Sequence, residues 1–162
     1  GFHLSDRYLR PSSRDPKVYE AGGKYHMMVT TSIVSGENAG HGCLAHLISD
    51  DLDSWTENGE IFVSPDSSEP ECSDMIFYHG RYYLIFSLPG KPQYLWAADP
   101  SGEWHRPESG NIPCKSVPKG AVFNDKILFT GFDGTGDDGL SHYAGQMTFR
   151  WAHEENGELV FE

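Results

Sequence analysis

Short apolar-rich runs, separated by tight glycine- and asparagine-containing turns, punctuate this chain from end to end. Such runs read as β-strands and the turns as hairpins. A first block has predicted strands at Lys17–Glu20, Tyr25–Thr31, Cys43–Ser49 and Glu60–Val63, with Gly22-Gly23 as a hairpin turn. A second has Met75–Tyr78, Arg81–Ser87, Tyr94–Ala98 and a weak outer strand near Trp104, turning at His79-Gly80. A third has Gly120–Phe123, Lys126–Phe132, Ala144–Trp151 and Leu159–Phe161, with turns at Asn124-Asp125 and Asn156-Gly157.

The blocks cover approximately residues 16–63, 73–115 and 117–162, a spacing of roughly 45 residues that suits a propeller blade. Each repeats a short inner strand, a tight turn, an apolar second strand, a Gly-rich loop and two outer strands. That layout predicts an all-β chain: residues 1–162 as one partial β-propeller domain of about three four-stranded antiparallel blades. A β-sandwich is the competing arrangement, disfavoured because the blocks share order and spacing as well as strand content. Propellers close with about 4–8 blades. Apolar faces and strand edges are therefore expected to lie open on the first and last blades. Blades missing from this stretch of the same polypeptide, or a second copy in a homo-oligomer of six blades, would complete the ring.

Composition narrows the function. The 162 residues carry a net charge of −12, with 13% aromatic residues, 18 Gly and 10 Pro. Such acidity repels phosphate backbones and anionic lipid surfaces, which excludes nucleic acid and membrane as expected partners. Carboxylates with many aromatic rings suit a carbohydrate, whose hydroxyls and flat faces they bind. Cys43, Cys72 and Cys114 are odd in number and widely spaced, so neither a disulfide framework nor a zinc site is expected. No metal or other cofactor is expected. The histidines lack ligand spacing, and Asp133-Gly134-Thr135-Gly136-Asp137-Asp138-Gly139 lacks the alternating acids and closing Glu of a calcium loop. It reads instead as a hairpin over the mouth of a pocket. Gly1 opens the chain without a Met and reads as a processing remnant, leaving the compartment open.

Two acidic segments carry the candidate chemistry. Arg14-Asp15-Pro16 precedes the first block, and Pro16 is expected to push Asp15 into an extended conformation. Arg14 is placed to neutralise neighbouring acids. Glu69-Pro70-Glu71-Cys72-Ser73-Asp74 opens the second block with three acids in six residues. Mutual repulsion and partial burial are expected to raise one of their carboxyl pKa values, as a general acid requires.

Together these segments resemble glycoside hydrolase family 32, the invertases, inulinases and levanases, which carry an Arg-Asp-Pro motif and a later Glu-Cys motif. Here Ser73 stands where the family usually has proline, and the separation of Asp15 and Glu71, 56 positions, fits. Ser49-Asp50-Asp51-Leu52-Asp53-Ser54-Trp55, Tyr82-Tyr83-Leu84-Ile85-Phe86-Ser87 and His142-Tyr143-Ala144-Gly145-Gln146-Met147-Thr148-Phe149 also resemble the family consensus. The resemblance implies a retaining hydrolase of β-fructosyl linkages in sucrose, inulin or levan. It makes Glu71 the acid/base and Asp15 the transition-state stabiliser. Arg14 would orient the site, with Asp74 and Tyr143 adjusting it from behind.

One family feature is absent. The nucleophile belongs to a Trp-x-Asn-Asp-Pro motif that these residues do not contain. Asp99-Pro100-Ser101-Gly102 reads as a strand-ending turn, Asn124-Asp125 as a hairpin, and Asp6 lies in a loop. Matched to the family, the chain lacks roughly the first two blades. A non-catalytic carbohydrate-binding propeller and a catalytically decayed relative are the alternatives. Five-bladed arabinose- or xylose-acting glycosidases are a further one, though they lack the Glu-Cys pair.

Overall fold

The computed structural model describes residues 3–89, 91–108, 111–133 and 146–162. Tyr143, and most of the hairpin expected over a pocket, lie outside the described residues. The chain divides into two compact units, residues 1–73 and 74–162. The fold is all-β, with a three-residue 3-10 turn at Arg10–Ser12.

The first unit is built on one sheet. Its strands are β1 (Arg14–Ala21), β2 (Lys24–Ser32), β3 (Gly42–Ser49) and β4 (Thr56–Val63), in the order β1-β2-β3-β4 and antiparallel throughout. Gly22 and Gly23, with φ of +58° and +73°, make the β1–β2 turn that a side chain would disfavour. Period-2 alternation sends Met27, Val29, Cys43, Ala45 and Leu47 to one face, where Leu4, Tyr8 and Ile33 close over them with Trp55 and Val63 at the margin. This face is therefore covered by the chain's own residues 4–8, contrary to the open first blade expected from sequence. Met28, Thr30 and Leu44, on the other face, are buried too.

That second face carries a hydrogen-bonded chain of side chains. His26 Nε2 bonds the carbonyl oxygen of Ala21 at 3.1 Å and must donate, so His26 Nδ1 accepts from His46 Nε2 at 2.9 Å. His46 Nδ1 in turn accepts from Asn58 Nδ2 at 3.2 Å. The rings of Tyr19, His26 and His46 stack at 5.0 and 5.1 Å. Burial, reinforced by the His26 neighbour, pushes His46 down to about 4.

The second unit packs two sheets together. Strands β5 (Glu71–Tyr78, beginning in the first unit), β6 (Arg81–Leu88) and β7 (Lys91–Ala97) form one, in that order. Strands β8 (Ser116–Phe123), β9 (Lys126–Phe132), β10 (Met147–Glu155) and β11 (Glu158–Phe161) form the other, antiparallel. Ile76, Tyr78, Tyr83, Ile85 and Tyr94 meet Ile127, Phe129, Ala152 and Leu159 between them. Trp96 packs at the edge of this core and receives Arg81 over its ring at 5.1 Å, while Arg81 pairs with Glu154 at 2.7 Å. The weak outer strand expected near Trp104 is reduced to isolated bridges, Trp96 to His105 and Gln93 to Asn111. Pro107, which has no N–H to give, interrupts it. Strand β10 runs on to Glu155, past the expected end at Trp151.

The far face of β8–β11 is open. Pairing of Met147 with Phe132, Phe149 with Thr130, and Trp151 with Leu128 puts these residues on the face opposite Ile127 and Phe129. Phe123, Met147, Phe149, Trp151 and Val160 are all exposed there, Phe123 to 59%.

The inner strands share one irregularity that sets up the candidate site. The second residue of each of β1, β5 and β8 (Asp15, Cys72 and Val117) has φ of +53°. Register shifts follow at Arg14/Lys17 and at Ser116/Lys119. These are β-bulges at the start of β1 and β8, which re-aim the side chains there, and Cys72 shares their backbone conformation at the start of β5. Pro16 thus does not hold Asp15 extended: the bulge places it in the left-handed region, which Asp tolerates better than most residues.

Candidate functional site

Arg14 and Asp15 open β1, and Glu71 and Cys72 open β5, so the two acidic motifs stand at corresponding positions of their strands. The structure brings the motifs together. Cys72 donates its backbone N–H to Asp15 Oδ2 at 2.9 Å. Arg14 Nη2 reaches Glu71 Oε1 at 2.6 Å, and Nη1 reaches Glu69 Oε2 at 2.5 Å. One guanidinium thus bridges two carboxylates, Glu69 largely buried and Glu71 half-exposed at 53% of its side chain.

The segment carrying Glu69 and Glu71 is fixed from below. Thr30 Oγ1 donates to the Pro70 carbonyl at 2.6 Å. Gly42 lies so close that a Cβ there would sit 2.1 Å from the Ser68 carbonyl oxygen and 2.6 Å from Glu69 Cα. Glu69 Oε1 accepts from the Ser12 and Ser32 hydroxyls, each at 2.5 Å. Ser12 also accepts from Arg14 Nη1 through its carbonyl at 2.9 Å and its hydroxyl at 3.0 Å.

These contacts set the charge state of one of the three acids in this segment. Burial pushes Glu69 up, but the Ser12 and Ser32 hydroxyls and Arg14 outweigh it and hold its carboxyl below the usual range. Repulsion between Glu69 and Glu71 is absorbed by the cation between them, so crowding does not raise Glu69.

Asp74 is buried, at 4% exposure; Oδ1 accepts from the Met75 N–H at 2.9 Å and Oδ2 from the Gly120 N–H at 3.3 Å. The Gly120 bond ties Asp74 to β8 within the second unit. Tyr143, the remaining residue expected at the site, lies outside the described residues. Sequence reading passed over Ser12 and Ser32 and gave Glu69 no role. The signals were present in Ser12-Ser13-Arg14 and Glu69-Pro70-Glu71, but pairing them needed the register of β1, β2 and β5.

The turns set aside as nucleophile candidates are turns in the structure. Asp99 Oδ1 accepts from the Ser101 N–H at 2.8 Å, and Asn124 and Asp125 both have positive φ in the β8–β9 hairpin. A cavity of about 320 Å³ lies elsewhere, against Lys24, Ile48, Ser49, Asp50, Asp51, Ser54 and Thr56. Its Asp51 is a turn residue: backbone N–H groups of Ser54 and Asp53 and the Ser49 hydroxyl hold it down to about 2. Among the described residues no group of three or more His, Cys, Asp or Glu side chains is placed to hold a metal ion.

No family model matches the sequence. Solved structures do match the fold. Sucrose-6-phosphate hydrolase from Lactobacillus gasseri superposes with a TM-score of 0.74 at 16% identity, over 99% of this chain and 38% of its own. Fructan 1-exohydrolase IIa from Cichorium intybus, solved with 1-kestose, gives 0.72 at 13%, over 99% and 37%. A family 43 β-xylosidase/α-arabinofuranosidase from a compost metagenome gives 0.63 at 16%, over 98% and 58%. The chain spans little more than a third of the length of the first two. Bombyx mori β-fructofuranosidase, named as a family 32 enzyme, matches in the same way. The chain has the fold of part of the β-propeller of family 32 glycoside hydrolases.

Proposed function

We propose that Glu71 is the acid/base and Asp15 the transition-state stabiliser of a retaining glycosidase site for β-fructosyl linkages, such as those of sucrose, inulin or levan. The observation that carries this reading is the joining of the two motifs by Arg14 and by the Cys72–Asp15 hydrogen bond, in a fold shared with fructoside-cleaving enzymes. In this reading Glu71, half-exposed, gives its proton to the leaving sugar oxygen and later takes one from water. Asp15 accepts hydrogen bonds from fructosyl hydroxyls. Arg14 orients Glu71. Asp74 acts from behind by anchoring β5, and Tyr143 keeps the adjusting role that the resemblance gives it.

A retaining mechanism also needs a carboxylate nucleophile, and residues 1–162 contain no Trp-x-Asn-Asp-Pro motif. We place that group on a further blade, from the same polypeptide or from a second copy. The exposed apolar face of β8–β11 supports further sheets packing there. The same missing motif favours a second reading, a carbohydrate-binding propeller that positions sugars without cleaving them. Turnover of sucrose, inulin and levan, measured beside Glu71→Gln, separates the two. Hydrolysis abolished by Glu71→Gln supports the enzyme, saturable binding without turnover supports the module, and neither activity contradicts both.

A further inference from the structure

Arg14 beside the acid/base is a chemical problem for the reading above. A cation in contact with a carboxylate favours its ionised form and so opposes proton donation. The structure holds a counterweight in Glu69, a group to which neither the motifs nor the fold assign a role. Its side chain is 18% exposed and it takes Arg14 Nη1 while Glu71 takes Nη2. Two hydroxyls from different elements, Ser12 in the 3-10 turn and Ser32 at the end of β2, fix one oxygen, and Arg14 takes the other. Thr30 and Gly42 hold its backbone.

We propose that Glu69 is the positioning residue of this site: clamped by Ser12 and Ser32, it anchors Arg14 so that one nitrogen stays on Glu71, and its charge offsets the guanidinium's. The inference rests on Glu71 being the acid/base. Two consequences follow from the geometry. Arg14 is held by a partner clamped by two hydroxyls, so its contact with Glu71 keeps its direction while Glu71 moves between protonated and ionised forms. The Arg14–Glu69 pair is also neutral as a whole, so Glu71 faces a dipole and not an isolated cation. Among the described residues, Glu71 and its partner meet Arg14 and Glu69, with Asp15 joined through the Cys72 backbone. Ser12 and Ser32, from the turn and from β2, are neutral.

The test is nuclear magnetic resonance of the folded chain, which needs no turnover. In Glu69→Gln the Arg14 side-chain N–H signals broaden or shift, and the Glu71 carboxyl titration curve moves to lower pH. Glu69→Asp, which keeps the charge, restores most of the titration. Should Glu69→Gln unfold, Ser12→Ala with Ser32→Ala removes the clamp and leaves the charge. Arg14 then loosens while the Glu71 titration moves less. Unchanged Arg14 signals and an unchanged Glu71 curve in these variants overturn the proposal. If those signals move as described but no fructoside is bound or cleaved, Glu69 positions Arg14 and the functional reading alone fails.

Discussion

The backbone N–H of Cys72 donates to Asp15 Oδ2 at 2.9 Å across 57 positions of sequence. The two residues that close this contact are also the two that break the regularity of their strands, each with φ of +53°. The β1 bulge and the bond form one device: without the bulge Asp15 would follow the pleat and could not face the start of β5.

Asp15 is therefore structural whatever its chemistry. Asp15→Ala loses the acceptor and strains a left-handed position, and is expected to cost ~2 kcal/mol. Asp15→Asn keeps an acceptor oxygen and tolerates that conformation, so it is expected to cost less than ~1 kcal/mol. Urea unfolding of the two variants checks the order. Equal losses would mean that the Cys72 bond contributes nothing.

Gly42 tests the support beneath Glu69. A methyl group there meets backbone, not a movable side chain, so Gly42→Ala must displace residues 68–69. The expected cost is ~1–3 kcal/mol, with the Arg14–Glu71 contact disturbed as well. Unfolding and the Arg14 side-chain signals read the two effects separately. A variant as stable as the parent contradicts the close approach.

The burial of His46 predicts a pH dependence. His46 titrates at 6.5 unfolded and at about 4 folded, so its depressed value leaves stability intact above pH 6.5. Between 6.5 and about 4 the unfolded chain takes up a proton that the folded chain refuses, and stability falls. The full loss is ~3 kcal/mol. Glu69, held low, contributes stability that is lost only below the ordinary carboxylate range, so the upper part of the window belongs to histidine. Urea midpoints measured through this window should slope downward in the parent and less in His46→Gln. Equal slopes contradict the assignment.

Much of this was legible from sequence because strands and hairpins are local. Gly22-Gly23, His79-Gly80, Asn124-Asp125 and Asn156-Gly157 turn where the residue types say, since positive φ favours Gly and Asn. The Arg-Asp-Pro and Glu-Cys motifs marked the right strand starts. The bulges were not legible. Asp15-Pro16-Lys17 and Val117-Pro118-Lys119 repeat one another, but that spacing reads as an extended entry unless the pairing partner is known. The Glu69 clamp was hidden for the same reason, because Ser12, Ser32 and Glu69 come from three separate stretches. Residues 4–8 covering the first sheet were likewise invisible, since Leu4 and Tyr8 stand outside any strand.

The open face of β8–β11 predicts association. Phe149→Lys with Trp151→Glu puts charge on a surface already exposed, so folding should change by no more than about 0.5 kcal/mol. Mass measured by light scattering should rise with concentration in the parent and stay monomeric in the variant. A parent that remains monomeric at every concentration contradicts self-association through this face.

The most direct measurement follows the Asp15 and Glu71 carboxyl carbon signals while a short β-fructoside such as 1-kestose is added. The account predicts that both signals move along one saturating curve, and that Asp15→Asn weakens the response at Glu71. Saturable binding that leaves both signals still, or no binding, would contradict a fructoside site at these residues.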